Sequence, residues 1–75
     1  MRTTKQQRQA FIQKLIEKGG EAKVKALAQD LYGDDPEHVI TAYEVAQSCK
    51  RFKHVALFID GTVTVTEKGR EFCSL

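Results

Sequence analysis

The sequence predicts an α+β fold: three helices, then a C-terminal two-stranded β-hairpin and a short terminal helix, in a single domain over residues 1–75. Three observations carry this. Apolar residues recur at helical spacing through the first two-thirds of the chain, and glycines at 19, 20 and 33 punctuate that pattern. The period then falls from about 3.6 residues to about 2 on either side of Asp60-Gly61, the mark of a hairpin. Finally, 75 residues with 41% hydrophobic and 29% charged content suit one folded domain better than a disordered tail.

The first helix lies in TTKQQRQAFIQKLIEKGG. Thr4 is placed to cap it, with Gln7 as the reciprocal partner three residues on. Phe11, Ile12, Leu15 and Ile16 form its apolar stripe, Lys18 suits the negative end of the helix dipole, and Gly19-Gly20 ends it. The second helix is expected over EAKVKALAQDLYG, with Val24, Leu27, Ala28, Leu31 and Tyr32 on one side and Gly33 as the stop. The third, in DDPEHVITAYEVAQSCKRF, has Asp35 as cap and Pro36 at the first helical position, where its missing N–H costs nothing. Val39, Ala42, Tyr43 and Ala46 are its expected buried stripe, broadened by Ile40 and Val45. Lys50 and Arg51 close it with charge of the favourable sign.

In the hairpin, a two-residue Asp60-Gly61 turn pairs Phe58 with Val63, Leu57 with Thr64 and Ala56 with Val65. That register makes Phe58, Val63, Ala56 and Val65 the core face. Val55, Leu57 and Ile59 then fall on the opposite face, beside threonines. Thr66 caps the terminal helix, Phe72 returns to the core, and Gly69 weakens that helix by about 1 kcal/mol relative to alanine.

Charge is distributed unevenly although the net is only +2. The first third carries Arg2, Lys5, Arg8, Lys14, Lys18, Lys23 and Lys25. From Asp30 to Glu44 there are carboxylates and no Lys or Arg. Lys50, Arg51 and Lys53 then restore positive charge just before the hairpin. Such clustering is compatible with a polyanionic partner.

The order of elements resembles the winged helix-turn-helix family of DNA-binding domains. KVKALAQDLYG is similar to that family's second helix, DPEHVITAYEVAQSCKRF to its recognition helix, and FKHVALFIDGTVTVTEKGREF to its wing. The resemblance covers nearly the whole chain and rests mainly on packing and turn residues. It implies a compact three-helix winged helix-turn-helix fold, a third helix in the DNA major groove, a wing near the backbone, and often a dimer on a palindromic site. Carried across, the exposed third-helix candidates are His38, Thr41, Glu44, Gln47, Ser48 and Arg51. Gln47 would read an adenine edge, and Ser48 or Arg51 a phosphate or base. Lys50, Arg51, Lys53 and His54 would supply attachment at the root of the wing, with Arg2, Lys5, Arg8 and Lys25 on flanking DNA. Two features depart from the family pattern. The third helix opens with Asp34, Asp35 and Glu37, and the wing tip Ile59-Asp60-Gly61-Thr62 has no base.

The expected function is therefore sequence-specific binding of double-stranded DNA by a small transcriptional regulator, as a possible homodimer. The competing reading is a non-catalytic protein-interaction or assembly module on the same scaffold, with Val55, Leu57 and Ile59 as its interface. Enzymatic activity is not expected: Cys49 and His54 come with no oxyanion site, and the dispersed glycines make no phosphate loop. No cofactor or metal is expected, since two histidines and two cysteines show no zinc-ligand spacing. Reduced cysteines and a cytoplasmic location are expected, because no leader pattern is present and the longest apolar run, residues 55–59, is too short to span a bilayer.

Overall fold

The computed structural model describes residues 3–74 and is an α+β structure of four helices and a three-stranded antiparallel sheet. Helix α1 (Lys5–Glu17) begins with a complete capping box. Thr4 Oγ1 accepts from the Gln7 N–H at 3.0 Å, and Gln7 Oε1 accepts from the Thr4 N–H at 2.9 Å. At its end Gly19 adopts φ +96°, so its N–H reaches the Ile16 carbonyl and the Gly20 N–H reaches that of Leu15. That is a Schellman closure, which an L-residue at 19 would resist. Phe11, Ile12 and Leu15 are completely buried.

The next three residues correct the expected second helix. Glu21–Lys23 form strand β1, and helix α2 is confined to Val24–Leu31. Glu, Ala and Lys all favour helix, but the backbone here has long-range partners. Val65 N–H donates to the Gly20 carbonyl and Val24 N–H to that of Gly61, both at 2.9 Å. Nothing local in a strand of three residues announces it.

Helix α3 (Pro36–Arg51) has Pro36 in its first turn and Asp35 at the cap position. The Asp35 carboxylate makes no capping hydrogen bond, so its part is the extended backbone conformation and its negative charge. The buried stripe is Ala42, Val45, Ala46 and Cys49. It is rotated from the expected one: Tyr43 is partly exposed and Ile40 is 64% exposed. Small Ala28, Ala42 and Ala46 are fully buried in the core into which α2 and α3 pack. The end of α3 is a second Schellman closure, with the His54 N–H on the Cys49 carbonyl and the Lys53 N–H on that of Lys50. Lys53, at φ +66°, occupies the left-handed position usually given to glycine.

Strands β2 (Val55–Leu57) and β3 (Thr62–Val65) form the hairpin, and the sheet order is β1-β3-β2. The register differs by one residue from the expected one: Val55 opposes Val65, Ala56 opposes Thr64 and Leu57 opposes Val63. The loop holds Ile59, Asp60 and Gly61, closed by Phe58 N–H to Thr62 O and Gly61 N–H to Phe58 O. A tight turn followed by a left-handed glycine, φ +88° at Gly61, adds the extra residue. The slip turns β2 over while leaving β3 as expected. Val55 and Leu57 therefore join Val63 and Val65 against the core, and Phe58 faces solvent.

Helix α4 (Glu67–Ser74) is capped by Thr66, whose Oγ1 accepts the Gly69 N–H at 3.1 Å and donates to the Lys53 carbonyl at 2.7 Å. Gly69 is buried, and a Cβ there would overlap the His54 carbonyl oxygen. The glycine read from sequence as a weak point is what lets α4 settle on the root of the hairpin. Phe72 is packed against the core, as expected.

Candidate nucleic-acid interface

The outer face of α3 is exposed from its first turn to its last. Pro36, Ile40, Tyr43, Gln47 and Lys50 follow one another at alternating spacings of four and three residues and are all exposed. Arg51 and Glu37 flank them, also exposed. Tyr43 leans toward the hairpin loop, its hydroxyl so close to Gly61 that a Cβ there would lie 2.7 Å away. Lys23, Lys25, Ala26 and Gln29 line a shallow concavity with Tyr43, Asp60 and Gly61. Lys25 and Gln29 continue into a second one with Asp34, Pro36, Val39 and Ile40.

Two of these charges are partly neutralised. Lys23 Nζ lies 3.2 Å from Asp60 Oδ2 and also donates to the Asp60 carbonyl. The Thr62 backbone N–H, with Lys23 beside it, holds the Asp60 carboxyl below the usual carboxylate range. Lys18 is similarly tied to Asp30 and lowers that carboxyl's pKa. The loop tip thus carries no free cation: its charge is a closed Lys23–Asp60 pair.

A second group of cations surrounds the C-terminal end of α3. The Arg8 guanidinium sits 4.5 Å from the Phe52 ring centroid, and Lys5 Nζ is 5.9 Å from that of Phe72. Between the two phenylalanines lies His54, stacked 4.4 Å from Phe72 and 5.9 Å from Phe52. Burial lowers the imidazole pKa, and the positive charges of Lys68 and Arg8 lower it further. The N-terminus of α1, the end of α3 and the start of α4 therefore converge on one basic, aromatic end, with Lys50, Arg51 and Lys53 exposed at its edge.

The expected site residues divide accordingly. Gln47, Lys50, Arg51 and Lys53 are exposed on α3 or its end. Ser48 and Thr41 are half-buried on one flank, where the Thr41 hydroxyl donates to the Glu37 carbonyl of its own helix. His38 turns back onto the Gly33 turn, its ring centroid 6.0 Å from that of Tyr32, and does not face outward. His54 is only 7% exposed and cannot serve as a surface contact. The proposed protein face is also broken up by the register slip: Val55 is 3% exposed, Leu57 packs on the core, and Ile59 alone stands fully in solvent. Arg8 reaches Phe52 at the end of α3 and Lys5 lies over Phe72 of α4, whereas Lys25 lies near the start of the α3 face. Arg2 lies outside the described residues.

Ile40 and Tyr43 were missed as surface residues because both read as core. The signal available was that their stripe also holds Pro36, Gln47 and Lys50, whereas the stripe Val39, Ala42, Ala46 and Cys49 is wholly apolar.

Both cysteines are free. Burial pushes the Cys49 thiol up to about 12, so it stays protonated and inert at neutral pH. Among the described residues, no three His, Cys, Asp or Glu side chains are grouped to hold a metal ion. No described helix is long and apolar enough to cross a membrane. Comparison with known proteins gives no match: no family model, no curated protein and no solved structure is significantly similar to this chain.

Proposed function

We propose that the chain is a winged helix-turn-helix domain that binds double-stranded DNA through the outer face of α3, as a small transcriptional regulator. The observation carrying this reading is that face itself, running from Ile40 through Gln47 to Lys50 and Arg51, with Lys25 beside its first half. The added strand β1 and the order β1-β3-β2 support a winged-helix scaffold, with the β2–β3 hairpin as the wing. Gln47 offers the bidentate amide that fits adenine, and Ile40 an apolar surface for a thymine methyl group. Lys25 beside the start of α3 and Lys50, Arg51 and Lys53 at its end would contact phosphates on either side of the bases read by the helix. The wing contributes shape and backbone amides, since it has no base of its own and the neighbouring Lys23 of β1 is held by Asp60.

The test is binding to duplex DNA over a range of salt. Replacing Lys50 and Arg51 by Ala should weaken binding and flatten the dependence of log K on log salt by nearly two charges, at about 0.9 per phosphate contact. Unchanged affinity and slope would remove this interface from consideration. A non-catalytic protein-interaction module is the second reading. Its specific support is the exposed Ile40, which a purely phosphate-gripping helix does not need.

A further inference from the structure

We propose that the outer face of α3 also docks a second copy of this chain, antiparallel, about a two-fold axis between Tyr43 and Glu44. Three features of the face specify this occupant. The exposed stripe has the alternating four-and-three spacing of a helix-pairing seam, with Ile40 and Tyr43 near its middle. The two ends of α3 carry opposite charge: Asp34, Asp35 and Glu37 at the start, Lys50, Arg51 and Lys53 at the finish. None of these six side chains makes an ion pair within the described residues, so all six are available to a partner.

An antiparallel pairing centred on the helix satisfies all three features together. It sets Glu37 against Lys50 of the second copy, Pro36 against Arg51, and Ile40 against Gln47. Glu44, half-buried beside the axis, stays off the seam. Because the contact is isologous, each complementary pair occurs twice. A parallel pairing would instead set acid against acid and base against base. One helix pair buries an area toward the low end of specific interfaces, below about 1,200 Å², so the association is expected to be weak and reversible. This inference goes beyond DNA binding and does not depend on it, since the second copy needs no nucleic acid to dock.

The experiment is sedimentation equilibrium of the full chain at low salt, without DNA. The wild-type chain should show a reversible monomer–dimer equilibrium. Glu37→Lys or Lys50→Glu alone should weaken dimerisation about tenfold or more, since each reversal creates two like-charge pairs. The double variant, which exchanges the two charges, should recover most of that loss. Ile40→Ser, at a solvent-exposed position that the fold does not require, should also weaken it. Helical circular dichroism checks that each variant is folded. A wild-type chain that stays monomeric at millimolar concentration overturns the proposal. So does a dimer indifferent to the single reversals, or a double variant as weak as the sum of the two.

Discussion

Lys53 holds a conformation that its own chemistry disfavours. A non-glycine residue in the left-handed region costs about 1 kcal/mol or somewhat more. The Schellman closure of α3 nevertheless requires φ +66° there. Lys53→Gly should therefore raise stability by about 0.5–1 kcal/mol, after allowing for glycine's larger unfolded-state entropy. Urea denaturation measures this, and a loss of stability would contradict the strain argument. If the lysine is kept for phosphate, the same variant should bind duplex DNA less well while being more stable. Gly69 poses the opposite question. Helix propensity favours alanine by about 1 kcal/mol. A methyl group would overlap the His54 carbonyl, a rigid backbone atom. Overpacking of about 1–3 kcal/mol outweighs propensity, so Gly69→Ala should destabilise on balance. His54 itself links this packing to pH. Its folded pKa is lowered, so the unfolded chain binds a proton more readily. Its full contribution is present above the unfolded value, about 6.5, and declines as pH falls through that value toward the folded one. His54→Phe should flatten the stability profile between pH 7 and 5, measured by thermal melts. A profile as steep as wild type would assign the acid sensitivity elsewhere.

At the scale of elements, what was legible in the sequence was whatever is decided locally. The Thr4–Gln7 capping box, the glycine stops after α1 and α2, Pro36 opening α3 and Thr66 capping α4 all depend on residues within a few positions of one another. Strand β1 was not legible, because its partners are some 40 residues away and its composition favours helix. The face of α3 was misjudged for a related reason. Tyr43 and Cys49 are both acceptable core residues, and only the arrival of α1 and α2 decides between them. The hairpin turned on a single residue. Asp-Gly suits a two-residue loop, but only the three-residue loop puts Val55 and Leu57 inward with Val63 and Val65. The candidate site inherited both errors, losing Val55 and Leu57 to the interior and gaining Ile40 and Tyr43, while His54 was lost separately to its stack on Phe72. The loop also yields a prediction. Gly61→Ala combines a strained φ with a clash against the Tyr43 hydroxyl, and should cost about 1–3 kcal/mol. Asp60→Ala, which removes an exposed acceptor for the Thr62 N–H, should cost less. Comparing the two by thermal melts tests whether backbone conformation or the Asp60 contacts matter more to the loop.

The molecule as a whole has one face for two proposed partners, and this makes their effects opposable. Residues are few, and a chain of this length buries only about 60–65% of its unfolded surface, so covering the exposed Ile40 adds usefully to stability. Dimerisation through α3 should make the melting temperature rise with protein concentration, an effect of mass action that Glu37→Lys should remove. The proposed DNA interface uses the same Lys50 and Arg51 that the second copy would engage through its acidic helix start. Duplex binding and self-association should therefore exclude each other. Fluorescence anisotropy of a labelled duplex should report an apparent affinity that weakens as self-association competes at higher total protein. The variants separate the contributions. Glu37→Lys removes an acid facing phosphate and also weakens the competing dimer, so it should tighten DNA binding on both grounds. Lys50→Glu weakens the dimer but places a negative charge in the groove, so it should bind DNA more weakly despite being more monomeric. If instead Glu37→Lys weakened binding and wild-type binding became cooperative with rising concentration, the second copy would be helping to hold DNA, and its contact would lie away from α3.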